Sequence, residues 1–191
     1  MFSDKVYKKR PIVHGDLLIA NPFLSDPNFK RSVVLICESN DTGAMGYVLN
    51  RLTNNQLSEL EVFDTYVQAP LYLGGPVEQD TLHVLHQNKE MEDPGTEITK
   101  GLFWGCDFDE LSELLHKGKA DIADYRFFIG YSGWDFRQLK DEVNRKSWIP
   151  MKAKKEWVFH HEERDLWKDI LMAEGGSFKV VADAPAHPNL N

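Results

Sequence analysis

The sequence predicts an α+β fold in a single domain, and three observations predict it. The length, 191 residues and 22.0 kDa, is that of one large domain. Short β-branched runs and amphipathic helical stretches succeed one another irregularly, with a hairpin near the start, where a doubly wound parallel sheet would alternate strictly. Hydrophobic residues make up 42% of the chain and aromatics 12%, enough to fill a core, while the 27% charged fraction is ordinary for a folded protein. A chain of this size buries roughly 70% of its unfolded surface, so it needs no staples.

Residues 1–13 read as a basic arm containing Lys5, Lys8, Lys9 and Arg10, residues 14–182 as the domain, and residues 183–191 as a polar tail. Leu17-Leu18-Ile19-Ala20 is a short apolar run stopped by Asn21-Pro22. Val33-Val34-Leu35-Ile36-Cys37 is apolar at every position, the pattern of a central strand covered on both faces. Asn40-Asp41-Thr42-Gly43 supplies a turn, and Tyr47-Val48-Leu49 returns as the second strand of a hairpin. Thr53 or Asn54 is placed to cap a short helix carrying Leu57 and Leu60. Leu71-Tyr72-Leu73 reads as a strand ending in Gly74-Gly75-Pro76, and Thr81–His86 as another with Leu82, Val84 and His86 on one face.

Asp107 with Glu110 has capping-box spacing ahead of a helix bearing Leu111, Leu114 and Leu115, which Lys117-Gly118 stops. Tyr125–Ile129 is the next strand. Asp135 opens a helix with the apolar stripe Phe136, Leu139 and Val143, and Trp148-Ile149-Pro150 closes that unit. A last helix, about 161–174, turns Leu166, Ile170 and Leu171 inward and has Gly175-Gly176 behind it.

Charge narrows the function. The net charge is −8 and the isoelectric point about 5.3, which repels phosphate backbones and disfavours direct nucleic-acid binding. The N-terminus has no apolar segment of secretory type, and no apolar run approaches the roughly 18 residues of a membrane span. With only Cys37 and Cys106 and no C-x-x-C, a reduced cytoplasmic protein is expected.

No catalytic set is complete. Gly74-Gly75-Pro76 lacks the Lys-Ser/Thr of a phosphate-binding loop. Gly130-Tyr131-Ser132-Gly133-Trp134 sits between a strand and a helix, where a nucleophile elbow would lie, but that turn requires glycine where Trp134 stands. The seven histidines lack metal-ligand spacing: His83 and His86 point to opposite faces of a strand, and His160-His161 have no partner ligand nearby. No metal and no cofactor is expected. Cys37 is either an inert core thiol or a reactive one at a strand end.

Taken together these stretches resemble a known family. Gly15 to Pro22, Asp26 to Glu38 and Gly43 to Asn50 are similar to the opening blocks of the AlgH (YqgE/AlgH) family, and Leu73-Gly74-Gly75-Pro76-Val77, Leu85-His86 and Gly130 to Trp134 match later blocks in order. The resemblance spans about residues 14–175. It implies a bacterial domain with a strongly curved, barrel-like mixed sheet flanked by helices, and a protein labelled a transcriptional regulator without an assigned reaction. Where the family pattern has Cys-Glu-His, this chain has Cys37-Glu38-Ser39, so no adjacent histidine assists the thiol.

The motif positions mark a candidate cleft for a protein partner or small ligand. From the first block come Arg31, Ser32, Cys37, Glu38 and Asn50; from the later ones Gly74, Gly75, Pro76, His86, Tyr131 and Trp134. The preferred reading is a non-enzymatic regulator acting indirectly. The alternatives are a thiol-dependent enzyme or redox-responsive protein built on Cys37, a hydrolase built on Ser132, and a dimer pooling its basic arms on DNA. A homo-oligomer stays open, and no membrane contact is expected.

Overall fold

Five consecutive apolar residues cannot share one side of a strand, and in the computed structural model both sides of Val33–Cys37 are covered. The structure describes residues 10–60, 67–88, 90–159 and 165–183. The strands are β1 (Asp16–Ala20), β2 (Val33–Ser39), β3 (Gly43–Val48), β4 (Leu52–Gln56), β5 (Pro70–Leu73), β6 (Val77–His86), β7 (Thr96–Thr99), β8 (Leu102–Trp104), β9 (Tyr125–Asp135) and β10 (Trp148–Lys152). The helices are α1 (Phe108–His116), α2 (Phe136–Asn144), α3 (Lys155–Val158), α4 (Leu166–Glu174) and α5 (Ser177–Ala182).

The strands form one curled, mostly antiparallel sheet in the order β10-β1-β2-β3-β9-β6-β8-β7, with the β4–β5 pair branching from β9. Only β5 runs parallel to its neighbour β9 among the described pairs. Strand β9 is the joint. Tyr125–Tyr131 pair with β6 on one edge, while Phe127–Ile129 meet β5 and Ser132–Asp135 meet β3 on the other.

Alternation on β1 and β2 separates two cores. Leu17, Ile19, Val33, Leu35 and Cys37 point into the first, closed by Leu166, Trp167, Ile170 and Leu171 of α4 and Phe178 of α5. Leu18, Ala20, Val34 and Ile36 point into the second, covered by Leu139 of α2 together with Trp134 and Trp148. A third core lies under α1, where Leu111 packs with Leu71, Val84 and Phe127. Each fully buried Leu, Ile or Phe here contributes about 1.5–3 kcal/mol by leaving water.

The starts of α1 and α2 follow the sequence. The side chains of Asp107, Asp135 and Asp165 accept from the backbone N–H of Glu110, Gln138 and Lys168 and so cap α1, α2 and α4. Only half of the capping box forms at α1, because the Glu110 carboxylate accepts instead from Glu92 N–H at 2.7 Å.

Several sequence expectations differ from the structure. The helix expected after Thr53 and Asn54 is strand β4 followed by one 3-10 turn, Leu57–Glu59. The Thr53 hydroxyl donates to Leu71 O at 2.9 Å and holds that segment beside β5 rather than capping a helix. Gly130–Trp134 is not a strand-to-helix turn but the second half of β9, so no elbow forms at Ser132. Phe136 leaves the expected apolar stripe and is 50% exposed. Trp148–Pro150 begins a strand paired with β1, not a terminator. Helices α3 and α5 have no counterpart in the sequence reading. The last long helix begins at Leu166; residues 160–164, including His160 and His161, and residues 1–9 of the basic arm lie outside the described residues.

Candidate functional site

The candidate residues do not share one core: Cys37 lies in the first and Trp134 in the second, while Glu38 and Pro76 are exposed. Arg31, Ser32 and Asn50 meet at the start of β2. Asn50 accepts from Val33 N–H at 2.9 Å and donates to Arg31 O at 2.8 Å, which fixes Arg31 at φ 53°, a left-handed conformation arginine rarely adopts. The Ser32 hydroxyl donates to Phe29 O at 2.8 Å, and the Arg31 guanidinium lies 4.9 Å from the ring centroid of Trp167.

Cys37 sits at a β-bulge, where the pairing of β2 with β3 slips between Ile36 and Glu38. Its thiol is buried in the first core and donates to Leu35 O at 3.8 Å; burial pushes its pKa well up, away from a thiolate. Glu38, one residue on, is exposed and accepts from Asn40 Nδ2 at 2.8 Å.

Gly74 and Gly75 are pressed against β9. A Cβ on Gly74 would lie 2.3 Å from Gly130 O, and one on Gly75 would lie 2.2 Å from the Tyr131 carbonyl. Ser132, fully buried, donates its hydroxyl to Gly74 O at 2.9 Å and fastens the same crossing. Pro76 is exposed at the turn that follows. Tyr131 is half-buried, edge-on to His83 at 6.0 Å.

His86 is fully buried between the rings of Phe103 and Tyr125, each 5.3 Å away. Its Nε2 faces Pro94 O at 2.9 Å and Gly105 O at 3.1 Å, two acceptors, so Nε2 carries the proton. Trp134 donates from Nε1 to Glu142 Oε2 at 3.0 Å. The structure thus brings Arg31 to Ser32 and Asn50, and Gly74 and Gly75 to Tyr131 and Ser132. It leaves His86 and Trp134 apart from them, on different cores. Among the described residues no cluster of three His, Cys, Asp or Glu side chains could hold a metal ion, and no helix is long and apolar enough to cross a membrane.

A groove of about 960 Å³ lies elsewhere, between residues 10–12, the β2–β3 hairpin, α2 and β10. None of the candidate cleft residues lines it, although Gly43 and Ala44 of the Gly43–Asn50 block do. Its apolar surface comes from Ile12, Ala44, Phe136, Leu139, Val143 and Pro150, and its charged side chains are Arg10, Lys140 and Lys146.

Each wall is held in place. Glu142 anchors α2 from behind: Oε2 accepts from Trp134 Nε1 and, at 2.7 Å, from Trp148 Nε1, while Oε1 accepts from Gln138 Nε2 at 3.0 Å. Phe29 stacks on Trp134 at 5.6 Å and meets Trp148 edge-on at 5.4 Å, so the helix rests on an aromatic bed. On the opposite wall, Asp16 is fully buried and holds Arg10 through both guanidinium nitrogens, with Lys152 Nζ at 2.8 Å and Val13 N–H at 3.0 Å. Burial raises the Asp16 pKa, but the hydrogen bonds from Arg10, Lys152 and Val13 outweigh it and hold the carboxyl below its ordinary range. The Ser39 hydroxyl donates to Ile12 O at 2.9 Å and ties down the rest of that wall.

The sequence reading missed these residues for a physical reason. Arg10 was visible only as part of a basic arm, and its partner Asp16 lay beside an apolar run. The usable signal was on α2, where Phe136, Lys140 and Val143 fall at helical spacing on one side.

Residues 17–179 match the family model described as AlgH-like (DUF179). The chain belongs to the AlgH-like family. A UPF0301 protein of Chlorobium phaeobacteroides is 40% identical over 177 residues, 93% of this chain and 95% of that protein. A UPF0301 protein of Cytophaga hutchinsonii is 38% identical over 181 residues, covering 94% of this chain and all of the relative. The solution structure of the AlgH protein from Pseudomonas aeruginosa matches with a TM-score of 0.70 at 26% identity, over 94% of this chain and 98% of that one. A crystal structure of a Corynebacterium diphtheriae protein reaches a TM-score of 0.78 at 21% identity, over 96% of this chain and 100% of the other, a likeness of fold. The curled half-barrel with few helices is therefore the AlgH-like architecture.

Proposed function

We propose that this AlgH-like chain is a non-enzymatic binding protein whose ligand site is the α2–β10 groove, and that any regulatory effect is indirect, transmitted by the occupied protein rather than by contact with DNA. The groove carries this reading: it has the size and the mixture of apolar walls and a few polar groups found at small-molecule sites, about 300–1,000 Å³. The nucleophile candidates do not compete well. Ser132 is spent on Gly74 O, and Cys37 is buried with its thiol held protonated. The net charge of −8 works against phosphate contacts.

Two measurements test the reading. In an amide-resolved NMR titration with a small-molecule fragment set, shifts should gather on residues 10–12, 43–44 and 136–150. Fragments settling on Cys37, Gly74 and His86 instead would return the site to the motif residues. Fluorescence anisotropy with DNA should stay flat at about 50 and 200 mM salt. Binding that weakens by orders of magnitude between them would sink the indirect reading.

A further inference from the structure

The lining of the groove narrows its ligand further, in an inference that rests on the binding reading above. Among the described residues, every charged side chain that lines it is basic: Arg10, Lys140 and Lys146. This is a local exception on a chain of net charge −8. Two carboxylates behind the walls are held by other groups. Glu142 faces Trp134 and Trp148, and the single charge of Asp16 is shared by Arg10 and Lys152, which leaves one positive charge over at that end. Between the basic groups the surface is apolar, and it includes Phe136, an aromatic side chain left 50% exposed at the first turn of α2.

Phe136 extends the apolar floor of the groove, and a basic rim around that floor selects the charge of what lies on it. We propose that the groove binds a small amphipathic monoanion, an apolar chain or ring ending in one carboxylate-like group. The apolar part lies along Phe136, Leu139 and Val143, and the anionic end sits by Lys140. A macromolecular polyanion does not fit this site, because a single small anion avoids most of the long-range repulsion of the acidic surface.

The test compares three probes of equal chain length on the full chain: dodecanoate, dodecanol and dodecyltrimethylammonium, each below its micellar concentration, followed by amide shifts. Dodecanoate should saturate shifts at Ile12, Ala44, Leu139 and Val143 and bind about threefold more tightly than dodecanol. That preference should shrink between about 50 and 500 mM salt. Lys140→Glu should weaken dodecanoate about fivefold while leaving dodecanol unchanged. Phe136→Asp, with its fold checked by the amide spectrum of the free variant, should weaken both. Equal binding of dodecanol and dodecanoate, or tighter binding of the cation, overturns the anion assignment and leaves the groove standing as an apolar site. Shifts outside the groove for all three probes, unaffected by Phe136→Asp, overturn the groove reading as well.

Discussion

The crossing of β5, β6 and β9 and the groove beside α2 are built on opposite terms. At the crossing, Gly74 and Gly75 leave no room for a Cβ, and the Ser132 hydroxyl meets the Gly74 carbonyl. At the groove, Phe136 and Lys140 are exposed and the walls stand apart, held from behind by Glu142 and Asp16. The motif residues Gly74, Gly75 and Ser132 thus mark where the backbone must close on itself. Apart from Gly43 and Ala44, the open volume is bordered by residues outside the motif blocks named above. Residue patterns that fit a binding cleft also fit the closure of a curled sheet, and only packing distinguishes them.

The sharpest way to break this contrast is to add an atom at the crossing. Gly75→Ala places a Cβ against the Tyr131 carbonyl and should destabilise the protein by about 3 kcal/mol or more, read from chemical denaturation. Near-wild-type stability would show that the crossing has room for a ligand. Asn50→Ala strands Val33 N–H and Arg31 O and should cost about 2 kcal/mol in the same assay.

On the groove side, the largest effect expected is at Asp16. Its folded pKa lies below its ordinary value, so its contribution is complete above the unfolded pKa of about 3.9 and is lost as pH falls through the folded value. Asp16→Asn should cost about 1.5–3 kcal/mol at neutral pH and flatten the loss of stability below about pH 4. A variant that keeps the wild-type acid slope would show that Asp16 does not anchor Arg10.

Cysteine chemistry sharpens the comparison further. Burial raises Cys37 well above the ordinary thiol range, and burial together with Asp107, Glu110 and Asp93 pushes Cys106 up to about 12. Both should therefore resist alkylation at pH 8 in the native protein and react readily in denaturant, as mass spectrometry would record. Rapid native labelling of Cys37 would restore the thiol reading. The smallest stability effect belongs to Lys140→Glu, within about 0.5 kcal/mol of wild type.

Much of the fold was legible where local chemistry decides it. The unbroken apolar run Val33–Cys37 could only be a strand covered twice, and Asp107 and Asp135 each cap the helix expected of them. Residues 52–56 misled because Thr53 and Asn54 suit a cap as well as an edge strand, and the bond from Thr53 to Leu71 that decides between them spans 18 positions. Gly130–Trp134 misled for a similar reason: glycine and serine suit a tight turn, yet here they let a long strand pass close to Gly74 and Gly75. The candidate cleft was the least legible feature. A list of motif residues contains no distances.

The sequence by itself determined the α+β class, the starts of α1 and α2, the doubly covered central strand, the acidic charge and the family, because each depends on residues near one another in the chain or on their summed composition. Only the tertiary structure decided that β9 runs through Gly130–Trp134 and that Cys37 is shut inside a core. It alone placed Arg10, Ala44 and Lys140 around one groove. Those outcomes depend on contacts between residues far apart in sequence, which exist only once the sheet has curled and α2 has settled on Trp134 and Trp148.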